Sequence, residues 1–192
     1  MRVIAGRLGG RRLKAPRGRM ATRPTSDRVR EALFSMLGQL DGVAVLDLFA
    51  GTGALGIEAL SRGARRAVFV ERDASATRVL RANLERLGLA APEAEVRVGD
   101  ALAALRTARG AGETYDLVFV DPPYRHARES SPAHPGELSA LLEGVLAPEA
   151  RVVVESDRRA PLQLPFEMVR KRRYGDTVIT IHSHITEDND ER

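Results

Sequence analysis

The 192-residue sequence contains no cysteine. That absence excludes a disulfide framework, a thiolate metal site and any chemistry that begins with attack by a thiolate. No apolar run reaches the roughly 18 residues that a membrane-spanning helix requires, and the first thirty residues carry too many charges for a signal peptide. A cytoplasmic location without membrane contact is therefore expected. Repeats, low-complexity tracts and convincing linkers are also missing, and the length fits one compact domain. The four histidines, His126, His134, His182 and His184, show no metal-ligand spacing. No metal is expected, and His182 and His184, alternating on a late strand, read as surface side chains.

What is present is a charge imbalance. Residues 1–30 hold Arg2, Arg7, Arg11, Arg12, Lys14, Arg17, Arg19, Arg23, Arg28 and Arg30 against the single acid Asp27. With a net +4 overall, a local +9 leaves −5 for the remainder. A basic arm on a mildly acidic body points to a phosphate-rich partner, although charge alone also fits a solvated tail. Met1–Ile4 and Arg11–Ala15 read as two short strands of a hairpin turning at Gly9-Gly10. Pro16 to Pro24 reads as loop. Thr25 or Ser26 can cap a helix running to about Leu40, with Val29, Leu33, Met36, Leu37 and Leu40 on one face.

The pattern then alternates. Short apolar strands are expected at Val43–Leu48, Ala67–Glu71, Glu95–Val98, Asp116–Val120 and Arg151–Glu155. Between them, helices are expected at Ala54–Ser61, Ala74–Leu87, Ala101–Arg109 and Pro135–Leu146. Phe166–Tyr174 and Thr177–His182 flank Gly175-Asp176, a hairpin signal. The fold class is α/β: a Rossmann-like, mainly parallel seven-stranded sheet with helices on both faces. Right-handed crossovers place the strand C-terminal ends on one rim, where such sheets bind ligands.

Three motifs fall on that rim. Gly51, Gly53 and Gly56 follow the first strand in a G-x-G-x-x-G pattern, within Leu46-Asp47-Leu48-Phe49-Ala50-Gly51-Thr52-Gly53. Glu71 ends the next strand, where a carboxylate can accept from both ribose hydroxyls. Asp47 would repel a pyrophosphate and attract an ammonium, or it would merely cap the glycine-rich turn. Gly99-Asp100-Ala101 adds an acid able to accept from an adenine amine, and Asp100 also fits a helix N-cap. At the end of the fourth strand stands Asp121-Pro122-Pro123-Tyr124. The Asp121 carboxylate and the Pro122 carbonyl can hold an aromatic amine pyramidal and stabilise the charge that develops as it attacks a methyl donor. The prolines aim the carbonyl in advance, and Tyr124 offers a ring on which a base can stack. With no cysteine to add to a pyrimidine C5, an acceptor that already carries a lone pair is the consistent choice.

These motifs, together with Met1–Gly6, Arg23–Phe34 and Arg172-Arg173-Tyr174-Gly175-Asp176-Thr177, make residues 1–183 resemble the RsmD family. The resemblance implies S-adenosyl-L-methionine as cofactor and methylation of the N2 amine of guanine 966 in 16S ribosomal RNA. It implies catalytic roles for Asp121, Pro122 and Tyr124. It further implies cofactor contacts at Thr25, Phe34, Asp47, Phe49, Gly51, Gly53, Glu71, Asp100 and Ala101. RNA contacts are implied at Arg7, Arg11, Arg12, Lys14 and Arg23, with the small subunit or an assembly intermediate as partner and a monomer favoured. The corresponding division is a basic extension over 1–22, a methyltransferase domain over 23–185 and an acidic tail over 186–192. Methylation of adenine N6 in DNA or RNA shares the Asp-Pro-Pro-Tyr chemistry and stays as the alternative. A nicotinamide enzyme, a protein-glutamine methyltransferase and a non-catalytic RNA-binding protein each leave some of these residues unexplained.

Overall fold

A computed structural model describes residues 1–15, 27–122 and 135–184. Its elements, in chain order, are α1 (Asp27–Leu37), β1 (Ala44–Asp47), α2 (Ala54–Ser61), β2 (Arg66–Glu71), α3 (Ala74–Leu87), β3 (Ala94–Val98), α4 (Ala101–Gly110), β4 (Tyr115–Val120), α5 (Pro135–Glu143), β5 (Leu146–Asp157), β6 (Glu167–Tyr174) and β7 (Thr177–Ser183). The sheet has seven strands in the order β3-β2-β1-β4-β5-β7-β6. The first five run parallel, and the β6–β7 hairpin adds two antiparallel strands at one edge.

Side-chain alternation divides the interior into two layers. Val45, Phe69, Leu117, Phe119 and Val153 face one layer, shared with Leu33 and Phe34 of α1, Ile57 and Leu60 of α2 and Leu80 of α3. Leu46, Val68, Val118 and Val152 face the other, with Leu105 of α4 and Leu138 and Leu142 of α5. Because β1 is buried along its whole length, it lacks the polar alternation of a half-exposed strand.

The helices begin where local chemistry permits. Asp73 caps α3 by accepting from the Ala76 amide at 2.7 Å, and Gly88 closes it in the left-handed region. α2 has no side-chain cap; Gly53, at φ 82°, starts it directly from the glycine-rich turn. α1 stops at Leu37 rather than Leu40, since Gly38 at φ 72° breaks the helix, and Leu40 is buried from the loop that follows. β5 is longer than expected, reaching back to Leu146 through Pro148 and through Glu149 at φ 60°.

The expected N-terminal strands reduce to a single bridge, Arg2 with Arg12. Backbone hydrogen bonds still join the two arms, from the Val3 amide to Arg11, the Gly10 amide to Val3 and the Leu13 amide to Met1, and α2 takes up the amides between them. The Ile4 and Ala5 amides donate to the buried Glu58 carboxylate at 2.7 and 3.1 Å, and the Arg7 and Leu8 amides donate to Ser61. Val3, Leu8 and Leu13 are buried in the core, so residues 1–15 share the interior of the domain. The expected boundary at residue 22 lies outside the described residues. His182 corrects the surface reading: it is buried, with Nδ1 against the Phe166 carbonyl at 3.1 Å and Nε2 against Thr180 Oγ1 at 3.0 Å.

Candidate active site

The parallel strands end on one rim, and four of them bring a carboxylate there. Asp47 ends β1, Glu71 ends β2, Asp121 follows β4, and Glu155 lies near the end of β5. The register pairs Asp47 with Phe69 and Phe119, and Val120 with Val154, which sets Asp121 beside Glu155. Alternation places all four on the face of the sheet that carries Val45, Phe69, Phe119 and Val153. Sequence motifs pointed to three of the four. Glu155 was missed because it stands in an ordinary apolar strand, and only the strand order makes it a neighbour of Asp121.

Crowding of like charges in a buried place has a measurable consequence. Asp47 is 1% exposed, and its pKa is pushed up from 3.8 to about 7. Burial is the main cause; the Glu71 charge adds to it, while the amides of Gly56 and Phe49 pull in the other direction. The Asp121 carboxyl is also held well above its ordinary range, first by burial, then by the charges of Glu155 and Asp47. A cationic ligand at this rim would relieve both groups, whereas a phosphate would aggravate them.

The glycine-rich turn is shaped for packing as well as for access. A Cβ on Gly56 would lie 2.3 Å from the Phe69 ring, so only glycine lets α2 approach β2 this closely. A Cβ on Gly51 would meet nothing nearer than the Phe49 carbonyl at 4.0 Å, so that stretch of the turn is open to a ligand. Glu71 braces the turn: Oε2 accepts from the Gly51 amide at 2.8 Å and Oε1 from the Asp73 amide at 2.7 Å. Each oxygen keeps a lone pair for another donor. Asp47 Oδ2 accepts from the Gly56 amide at 3.1 Å, which is the capping role. Asp100 caps α4, with Oδ1 accepting from Leu102 and Ala103 at 2.9 and 3.3 Å, and its residue is exposed. Ala101 opens that helix with its methyl buried, and Phe49 is half-buried against the second layer.

The match to known proteins covers this whole architecture. The family model described as Conserved hypothetical protein 95 matches residues 1–183. Ribosomal RNA small subunit methyltransferase D of Escherichia coli K12 is 41% identical over 160 residues, 82% of this chain and 75% of that protein. This is the RsmD family. The chain belongs to it. A solved hypothetical protein of a Thermus species superposes with a TM-score of 0.78 at 33% identity, over 96% of this chain and 99% of that one. SMU.776, solved as a complex with S-adenosylhomocysteine, shares the fold at a TM-score of 0.67 and 17% identity, over 82% of this chain and 48% of that one. The fold is that of the class I S-adenosylmethionine-dependent methyltransferases.

Within this family frame, the site residues separate into groups. Asp47, Gly51, Gly53, Glu71, Asp121 and Pro122 come together on the rim. Arg23, Thr25 and Tyr124 lie outside the described residues. Phe34 has no exposed surface: its ring centre lies 5.8 Å from that of Phe119, and the Arg62 guanidinium covers it at 5.0 Å. That placement makes Phe34 part of the core beneath the rim. The basic arm is partly engaged as well. Arg7 pairs with Glu93, while Arg11, Arg12 and Lys14 are exposed.

Proposed function

We propose that this chain transfers the methyl group of S-adenosyl-L-methionine to the N2 amine of a guanine in 16S ribosomal RNA. The observation that carries the reading is the buried acidic rim, in which Asp47 and Asp121 both hold their protons too tightly for lone carboxylates. Such a rim fits a ligand bearing an ammonium and a sulfonium, and it disfavours a dinucleotide pyrophosphate. Bound there, S-adenosylmethionine supplies an electrophilic methyl group. The names of the family's ribosomal relatives and the basic N-terminal arm support RNA as the acceptor.

The chain's own residues take the following parts. Asp47 meets the ammonium through the oxygen not used by Gly56, Glu71 accepts from the ribose, and Asp100 with the Ala101 amide faces the adenine. The open turn at Gly51, with Gly53 and Phe49 beside it, gives the cofactor room, and Thr25 contributes a further contact. Asp121 and the Pro122 carbonyl accept from the target amine, orient its lone pair and stabilise the positive charge it acquires; Tyr124 stacks on the base. After transfer the nitrogen is acidic, and its proton passes to Asp121 or to water. Arg7, Arg11, Arg12, Lys14 and Arg23 hold phosphates of the small-subunit RNA or of an assembly intermediate, with the enzyme acting as a monomer.

Mass mapping of modified nucleosides in small-subunit RNA from a strain lacking the gene tests this directly. Complementation by the wild type should restore one N2-methylguanine, and Asp121→Ala should not. Asp121→Ala should keep cofactor affinity within a few-fold and cut turnover at least about a hundred-fold, the signature of an interaction used mainly in the transition state. Restoration of a methylated adenine instead would favour the N6 alternative.

A further inference from the structure

Strand β6 differs from the other strands of the sheet. Seven of its eight residues are exposed, and four consecutive ones are cations: Arg170, Lys171, Arg172 and Arg173. Among the described residues none of these four forms an ion pair, and no other strand carries four cations in a row. Arg172 donates to its neighbour's carbonyl at 3.1 Å and Arg173 to that of Gly175 at 2.9 Å, with Asp176 near enough for its carboxyl to be held down in part by the Arg173 charge. A single charge suffices to guard an edge strand against pairing with another chain. Four of one sign repel one another and call for a counter-charge.

The register ties this strand to the site. Asp121 lies beside Glu155, Glu155 pairs with Ile179, and Ile179 pairs with Arg172. Asp121 and Arg172 thus occupy one row across the sheet, three strand spacings or about 14 Å apart. Alternation puts Arg170 and Arg172 on the face of the four carboxylates, and Lys171 and Arg173 on the other. The hairpin turn lies at the catalytic end, because Tyr174 pairs with Thr177 and Thr177 with Asp157. Arg158 fastens it there, donating its amide and its Nε to Asp176, each at 2.9 Å. The cations therefore sit on a paired strand of fixed geometry, and little order has to be gained on binding.

We propose that β6 is a phosphate track that holds the RNA strand flanking the target nucleotide, with Arg170 and Arg172 gripping phosphates on the catalytic face. Arginine suits this task because its planar fork meets phosphate oxygens two at a time. The proposal rests on the RNA-methylation reading and gives the substrate a second handhold, on the opposite flank of the sheet from the N-terminal arm.

The test compares two full-length variants, R170Q/K171Q/R172Q/R173Q and the charge-matched R65Q/R86Q/R106Q/R109Q, for binding an unmodified 16S RNA transcript between about 50 and 200 mM salt. The β6 variant should lower the slope of log K against log salt by about 2–3, near 0.7 per lost contact. It should also reduce kcat/KM for methyl transfer at least ten-fold. Its affinity for S-adenosylhomocysteine should equal that of the wild type, which reports an intact fold. Of two further double variants, R170Q/R172Q should lose more transfer than K171Q/R173Q. A wild-type slope in the β6 variant overturns the track, as does an equal drop in the control. A defect seen with assembled subunits but not with naked RNA overturns it too, in favour of a protein partner. If the wild type itself transfers no methyl group to RNA, the RNA-methylation reading fails and the track fails with it; an active wild type beside an unaffected variant sinks the track alone.

Discussion

Asp47 should destabilise the protein that holds no cofactor. In the unfolded chain its carboxyl ionises near 3.8, and in the folded chain only near 7. Between those values the native state binds the extra proton, so the stability of wild-type protein falls as pH rises through this window. At 1.36 kcal/mol per tenfold in the proton equilibrium, the full gap amounts to roughly 4 kcal/mol by pH 8. Asp47→Asn removes the charge but keeps an oxygen to accept from the Gly56 amide. The variant should therefore be the more stable protein at pH 8, by up to about 4 kcal/mol, or on the order of 10 °C in Tm for a chain of this size. Near pH 4 the two proteins should unfold together. Urea titrations at several pH values measure this, and cofactor binding gives the complementary reading. S-adenosylhomocysteine should bind Asp47→Asn roughly ten- to hundred-fold more weakly, the range for losing a hydrogen bond to a charged group. Methylthioadenosine, which lacks the ammonium, should bind both proteins alike. Two results refute the reasoning: stability curves that run parallel across pH, or equal losses for the two nucleosides.

Three other expectations follow from neighbouring contacts. Methyl transfer that depends on ionised Asp121 should fail as pH falls through its raised pKa, and Glu155→Gln, by removing a like charge, should move that fall to lower pH; an unmoved pH–rate profile would separate the two carboxylates. Glu71→Gln should weaken cofactor binding about ten-fold by calorimetry, because it disturbs both the ribose acceptor and the brace on Gly51; unchanged affinity would displace the ribose assignment. Glu58→Ala should cost about 3–5 kcal/mol in urea unfolding, since it strips the Ile4 and Ala5 amides and Arg62 Nε of their acceptor and the buried Arg30 of the carboxylate charge 3.9 Å away. A loss below about 1 kcal/mol would mean that the arm is held by its apolar side chains alone.

Local sequence by itself determined most of the element order, because period, turn residues and caps are properties of neighbours along the chain. The strand–glycine–helix unit at Leu46–Gly56, the Asp100 cap and the Gly175-Asp176 hairpin were all legible in this way. So were Asp47, Glu71 and Asp121, since each ends a strand whose direction the alternating pattern fixes. Tertiary structure alone decided what those residues meet. Strand order brought Glu155 beside Asp121, and Phe34 lies beneath the rim because Phe119 and Arg62 cover it. The short N-terminal hairpin is held to the domain because α2 offers acceptors to the Ile4 and Ala5 amides. Arg172 and Asp121 share a row through pairings that join residues far apart in the chain. Burial and like-charge repulsion depend on distance in space, and a local pattern carries no record of them.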